Sequence, residues 1–344
     1  MTHRTQLAVC AYSLPHMLRY QPDKAGEFCT RGFTLNLLAD LAVNHGLAGI
    51  EFPLETSTPV FDGKTVETAG FAGDIAAELS TLGLRLIADY GVILDHPIEH
   101  NLAYLRLAHR CSAEKVRVIL SHVLCGDRRK VTGGWDAHLA ACAVRLADLL
   151  PVAQEIGLKV CVENHQDLTS AELIWLYEAS GCSPAFGVTL DTGNPLAVAE
   201  DPVQYARAIA PLIGHVHLKD YTVHFAPEGY HLVRCKAGTG VIDFKGIMNE
   251  LMPYGQGLLP AVEVAAQATR TVPILDMDWW TTYPSDHYGH LPVALKAVWA
   301  AASPLGSEYG SAWEHSACSE TVADDEMETL TESIAYLRAI TPSG

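Results

Sequence analysis

Short runs rich in Val, Ile and Leu alternate with longer amphipathic stretches about eight times along this 344-residue chain. The apolar runs are "QLAVCAY", "LAGIEFP", "LRLIADYGV", "VRVILSHV", "LKVCVENH", "FGVTLDTG", "HVHLKDY" and "LPAVEVA". Between them "TLNLLADLAVNHG", "WDAHLAACAVRLADLLPVAQEIG", "SAELIWLYEASG", "DPVQYARAIAPLIG" and "DFKGIMNELMPYG" have helical spacing, and several end at a glycine suited to a helix C-cap. Strand, helix, strand in repetition implies parallel pairing through right-handed crossovers. Eight such units predict an α/β fold, a closed (β/α)8 TIM barrel of about 250 residues plus insertions. No GxGxxG follows the first strand, which speaks against a doubly wound dinucleotide-binding sheet.

After the eighth run comes "RTVPILDMDWWTTYPSDHYGHLP", then two helix-like stretches, "VALKAVWAAA" and "DEMETLTESIAYLRAI". The last is expected to close the barrel as its final helix, about 324–340, which makes about 268–322 an insertion. A connection of that length serves as a lid, a partner contact or a disordered segment. There is no short-period repeat and no low-complexity linker, so residues 1–344 read as one domain with strands at about 6–264.

Composition narrows the function. A net charge of -17 repels phosphate backbones and anionic membranes, so no nucleic-acid or membrane partner is expected. The N-terminus lacks the apolar core of a signal peptide, and no stretch approaches the roughly 18 apolar residues of a membrane span. A cytoplasmic location follows as an expectation. Nine cysteines, scattered and without a CxxC pair, read as reduced core thiols rather than a disulfide frame or zinc site.

Alternate side chains of a barrel strand point to the interior or to the helices. In "KVCVENH" the outward set is Val160, Val162 and Asn164, leaving Cys161, Glu163 and His165 inward. In "FGVTLDTG" Phe186, Val188 and Leu190 are outward and Asp191 inward. In "HVHLKD" Val216 and Leu218 are outward, with His215, His217 and Lys219 inward. In "PAVEVA" Val262 and Val264 flank an inward Glu263. Four consecutive strands thus each bring one metal-competent residue to the C-terminal rim, where barrel active sites are built. Carboxylates converging this closely repel one another without a cation. Two glutamates, an aspartate and a histidine suit a divalent cation, Mn2+ first, with Co2+, Mg2+ and Zn2+ also compatible.

"VENH", "LDTGN", "HVHLKD" and "VEV", in that order and one per strand, resemble the xylose isomerase-like sugar isomerase and epimerase superfamily. The resemblance runs from about the first strand through Glu263. It implies that Glu163, Asp191, His217 and Glu263 are metal ligands, and that Glu163 and Glu263 form an acid/base pair on opposite faces of a sugar. Glu51, in "GIEFP", falls where family members often bind sugar hydroxyls or position a base. The chain departs from the ketose 3-epimerases at Asn194, where they carry histidine, at "NHQDLT", which lacks their substrate-binding glutamate, and at Lys219, where they tend to have a small residue.

Further candidates come from strand ends. His165 is placed to touch substrate or move a proton, and His122 to bind substrate, though each also suits a structural cap. Tyr90 and Tyr12 are candidates to line the pocket, or half-buried packing residues. Lys219 is suited to hold a substrate oxygen or the enediolate, or else a neighbouring carboxylate. Trp280, beside Trp279 and Tyr283 in the insertion, reads as a lid or sugar-stacking residue, with core packing the alternative. Residues 234–240, "RCKAGTG", offer a weak anion-binding loop through Arg234 and Lys236, or only a tight turn.

The leading expectation is a divalent-metal-dependent isomerase or epimerase that removes a proton beside the carbonyl of a small-molecule sugar or keto-sugar. Its nearest rival is a lyase acting through the same enolate, as in inosose dehydratases or the large subunit of C-glycoside deglycosidases. The isomerase reading goes with a homo-oligomer and the deglycosidase reading with a small partner subunit. A non-catalytic sugar-binding barrel ranks below both. The DNA-repair endonucleases of the superfamily need a basic surface that this chain lacks.

Overall fold

A computed structural model describes residues 5–31, 35–54, 71–264 and 267–341. Eight parallel strands close into a barrel: β1 (Thr5–Cys10), β2 (Leu47–Pro53), β3 (Arg85–Val92), β4 (Ala113–Ile119), β5 (Lys159–Glu163), β6 (Phe186–Asp191), β7 (Ile213–Leu218) and β10 (Ala261–Val262). Between β7 and β10 lies an antiparallel hairpin, β8 (Tyr221–Ala226) and β9 (Gly229–Arg234), joined on its open edge by β11 (Arg270–Val272). Closure rests on β10, whose two residues pair with Ala8 and Val9 on one side and with His217 and Leu218 on the other.

Helices cover the outer face: α1 (Leu35–Asn44), α2 (Phe71–Leu82), α3 (Ile98–Arg110), α4 (Trp135–Glu155), α5 (Ser170–Ala179), α6 (Pro202–Ile209) and α7 (Phe244–Leu251). The segment after β10 adds α8 (Met277–Trp280), α9 (Leu291–Trp299) and α10 (Ser319–Ile340). Local sequence sets several starts. Thr169 and Glu172 form a reciprocal capping box at α5, and Asp201, followed by Pro202, accepts from Gln204 N at α6. α10 is tied to the N-terminal segment through the fully buried Glu326, which accepts from His16 N at 2.8 Å, Met17 N at 3.0 Å and Gln267 Nε2 at 2.6 Å.

The core has two parts, as strand parity requires. A large shell of Leu, Val, Ile and Ala packs between strands and helices. A small interior cluster of Ala8, Cys10, Ala48, Ile87, Leu259 and Ala261 fills the barrel floor. Toward the C-terminal rim the interior carries the buried polar residues Glu51, Asp89, Arg117, Glu163, Asp191, His215 and His217, and they build the site.

Two expectations about β7 and its sequel change. The strand ends at Leu218, and the run after it is a hairpin whose alternation spans a turn at Pro227–Glu228. The loop at 234–240 is not a vacant anion cradle. Asp220 already accepts from the backbone N–H of Gly238, Gly240 and Ile242, at 2.8, 3.0 and 3.1 Å. Arg234 pairs with Asp325, and Lys236 pairs with Glu328 and Glu332.

Candidate metal centre and active-site cavity

At the C-terminal rim Glu163, Asp191, His217 and Glu263, the ends of β5, β6 and β7 and the residue after β10, bring one ligand atom each to within 4.8 Å of one another. All four are buried. Asp191 is fixed by backbone bonds to its Oδ1 from Gly193 at 2.9 Å and Asn194 at 3.2 Å. Its own N–H donates to Asn164 at 2.7 Å, locking β6 to β5. A side chain at Gly193 would stand 2.6 Å from the Tyr221 ring, which explains the glycine in "DTGN".

His217 is oriented from below. Its Nε2 lies 2.8 Å from Glu51 Oε1, and His215 Nε2 lies 2.8 Å from Glu51 Oε2. Burial alone would push the Glu51 carboxyl up, but the two imidazoles outweigh it and hold the group well below the usual carboxylate range. The Nδ1 of His217 faces Glu263 at 3.1 Å and Glu163 at 3.8 Å; burial lowers the imidazole, but Glu51, Glu263 and Glu163 outweigh it and raise it well above its ordinary value. Neither this Nδ1 nor Glu263 Oε2 makes a hydrogen bond of acceptable geometry. Carboxylate–histidine support of this kind orients histidine ligands at metal sites. The donor set therefore fits a divalent cation held by these four residues.

Two cations already stand among the carboxylates. Lys219 Nζ is 2.6 Å from Asp191 Oδ2 and 3.0 Å from Glu263 Oε2. Burial lowers the Lys219 ammonium, and its carboxylate neighbours more than reverse this, keeping it protonated. Arg117, inward on β4, pairs with Glu163 and lies 3.9 Å from Asp89 Oδ1. Burial raises the Glu163 carboxyl, but Arg117 and then His217 bring it down to about 2.

A cavity of about 220 Å3 opens above this cluster, lined among others by Tyr12, Arg117, His165, Lys219, Glu263 and Arg270. His165 has no partner for Nδ1, and burial lowers its imidazole to about 4, so it is neutral. A larger cavity of about 490 Å3 lies at the opposite end of the barrel, around Lys115, Lys159 and Gly214, and contains none of the four ligands.

Several expected substrate contacts are placed elsewhere. Tyr90 points outward with Leu86 and Ala88, packing on Tyr104, with its hydroxyl accepting from Asn101. The ring of His122 is exposed and pairs with Asp95 at 2.7 Å. Trp280 is buried in the insertion, its Nε1 donating to Ile274 O at 2.8 Å, and Trp279 donates to Cys125 O. Their apolar area is buried against Tyr283, His287 and Tyr288 rather than above the cavity. Glu51 lies buried beneath His217, bonded to both His215 and His217, and is not among the residues that line the cavity. Asn194 is at the site, its Nδ2 3.5 Å from Glu163 Oε1. Arg117 and Arg270 were not singled out in the sequence. The parity of "VRVIL" marks Arg117 as inward, whereas nothing in the sequence links Arg270 to the barrel.

A closed eight-stranded parallel barrel with a four-residue, metal-competent rim defines the class. Residues 39–279 match the family model described as xylose isomerase-like TIM barrel, and the chain belongs to that family. Among solved structures it is similar to L-ribulose 3-epimerase, with 17% identity and a TM-score of 0.56 over 86% of this chain and 95% of that one. It is also similar to D-psicose 3-epimerase from Clostridium cellulolyticum H10, with 14% identity and a TM-score of 0.57 over 86% and 99%. The IolI protein with a bound zinc atom is 12% identical, with a TM-score of 0.55 over 86% and 98%. These identities establish a shared fold.

By sequence the chain is 30% identical over 117 residues to the uncharacterized protein YihM of Escherichia coli K12, 34% of this chain and 36% of that one. It is 24% identical over 196 residues to 3-oxo-isoapionate decarboxylase of Pectobacterium atrosepticum, 54% of this chain and 66% of that one. The matches thus span less than two thirds of each of these curated relatives. Among the described residues no helix is long and apolar enough to cross a membrane.

Proposed function

We propose that this chain is a divalent-metal-dependent isomerase acting on a keto-sugar through an enediolate, with Glu163, Asp191, His217 and Glu263 holding the metal, Mn2+ in first place. The observation that carries this reading is that Glu263 lines the cavity while Glu163 is clamped by Arg117. A cation bound there supplies a Lewis acid that polarises a carbonyl and stabilises negative charge on its oxygen. Glu263, an ionised carboxylate at the cavity wall, takes the proton from the carbon beside the carbonyl and returns it to the neighbouring carbon. His165, neutral and with a free ring nitrogen, passes the second proton between the two oxygens. Lys219 and Asn194 hold the ligand carboxylates in place, and Lys219 also faces the substrate oxygen that gains charge.

This sharpens the expectation of a paired-glutamate mechanism. Glu263 lines the cavity, whereas Glu163 does not and is paired with Arg117, so proton transfer on one face is favoured over two-faced epimerisation. The cavity, smaller than the roughly 300–1,000 Å3 of drug-sized ligand sites, matches one sugar unit better than a glycoside with its aglycone.

A second reading, a keto-sugar lyase, draws on the cationic side chains Lys219 and Arg117 beside the cavity, which suit an enolate left by departure of a group. The decarboxylase among the relatives supports it. Incubating the Mn2+-loaded protein with ketopentoses and ketohexoses in deuterated water tests both. Aldose–ketose interconversion with deuterium entering one carbon is expected. Release of carbon dioxide or water, without exchange into an intact skeleton, would replace the isomerase with the lyase.

A further inference from the structure

Arg270 opens β11, in the segment that follows the eighth barrel strand, and its backbone pairs with Leu232 of β9. Its side chain lines the same cavity as Glu263, Lys219 and Arg117. The Nε of Arg270 is buried and donates to nothing among the described residues. Every other cation in the neighbourhood has a partner: Arg117 has Glu163, Lys219 has Asp191 and Glu263, and Arg128 has Glu172 and Asp167 O. In a chain with 40 acidic and 23 basic residues, a counter-ion is the easiest group to supply, yet none among the described residues faces Arg270. A buried N–H without an acceptor is destabilising. The fold thus keeps at the cavity a guanidinium whose buried Nε has no acceptor among the described residues.

A guanidinium presents a planar fork of donors that matches an oxyanion in two parallel hydrogen bonds, and a neutral hydroxyl uses it poorly. We propose that Arg270 binds an anionic group on the substrate, so that the substrate is a keto-sugar acid rather than a neutral ketose. The inference rests on the keto-sugar reading of the site, since it places the carbonyl end at Glu263 and the anion at Arg270. The small cavity favours a carboxylate, and a phosphate shares the same chemistry.

Three probes separate these cases, because they share the ketose end and differ only at C6: D-fructose, D-fructuronate and D-fructose 6-phosphate. Calorimetric titration of the Mn2+-loaded protein should show D-fructuronate binding about 10-fold or more tighter than D-fructose. In Arg270→Gln that advantage should fall to within about twofold, and Arg270→Lys should restore part of it. Mn2+ affinity should be the same in all three proteins, which shows that the metal centre and fold are intact. Tighter binding of the phosphate than of the uronate, lost in the same variant, supports the anion site and assigns phosphate as its ligand. Equal affinity of the wild type for acid and neutral sugar, or a preference that survives Arg270→Gln, overturns the proposal and leaves the isomerase reading standing. Binding of none of the three overturns both.

Discussion

Lys219 occupies space that a metal would share, and that makes its removal informative. Its ammonium contacts Asp191 at 2.6 Å and Glu263 at 3.0 Å, two of the four carboxylate and imidazole ligands. Without metal, Lys219→Met leaves those carboxylates buried and uncompensated, at a cost of about 3–5 kcal/mol. At about 2.1 cal/mol/K per residue, a chain of 344 residues has an unfolding entropy near 0.7 kcal/mol/K, so Tm should fall by roughly 4–7 °C. With metal the sign reverses. The ammonium no longer competes for ligand oxygens, so Mn2+ should bind the variant more tightly and raise its Tm by more than it raises that of the wild type. Scanning calorimetry with and without Mn2+, alongside calorimetric metal titration, reads both effects. An unchanged metal-free Tm together with equal or weaker Mn2+ binding would refute the idea that lysine and metal draw on the same oxygens.

Three further substitutions test other parts of the structure. Glu51→Gln removes the charge that orients His217, and Mn2+ affinity should drop about 10–100-fold in chelator competition. Trp280→Ala should destabilise the protein by about 3–5 kcal/mol while leaving Mn2+ affinity as it was, since the ring packs in the insertion and not over the cavity. Burial pushes the Asp167 carboxyl up to about 7, while its unfolded value is ordinary, so the folded state holds the extra proton between about pH 4 and 7. Its contribution to stability is therefore lost as pH rises through that window. Asp167→Asn, which keeps an acceptor for Ser121, should be more stable than wild type at pH 8 and lose that advantage toward pH 4 in denaturant melts.

The strands were legible because a barrel strand repeats every two residues and each ligand is flanked by apolar neighbours. That is why Glu163, Asp191, His217 and Glu263 could be placed from "VENH", "LDTG", "HVHL" and "VEV". The same rule reads Arg117 as inward between Val116 and Val118, and turns Tyr90 outward between the inward Asp89 and Gly91, but it has to be applied strand by strand. Parity does not extend past a strand end, so His122 could not be placed. Trp280 shows a different limit: the sequence reveals area that must be buried but not which surface buries it. Arg270 is 53 residues from His217 in sequence and reaches the cavity only because β11 pairs with the hairpin.

Glu51 joins β2 to β7 through His215 and His217, strands with β1 and β10 between them in the barrel order. This is a strut inside the barrel, anchored in strands and not in loops. The metal ligand it steadies keeps its place whatever happens to the connections above the rim. Connections beyond the ligand residues, including the segment that follows Val264, can therefore be exchanged to admit a different sugar without rebuilding the metal centre, and libraries that vary them should retain metal binding while losing or changing substrate.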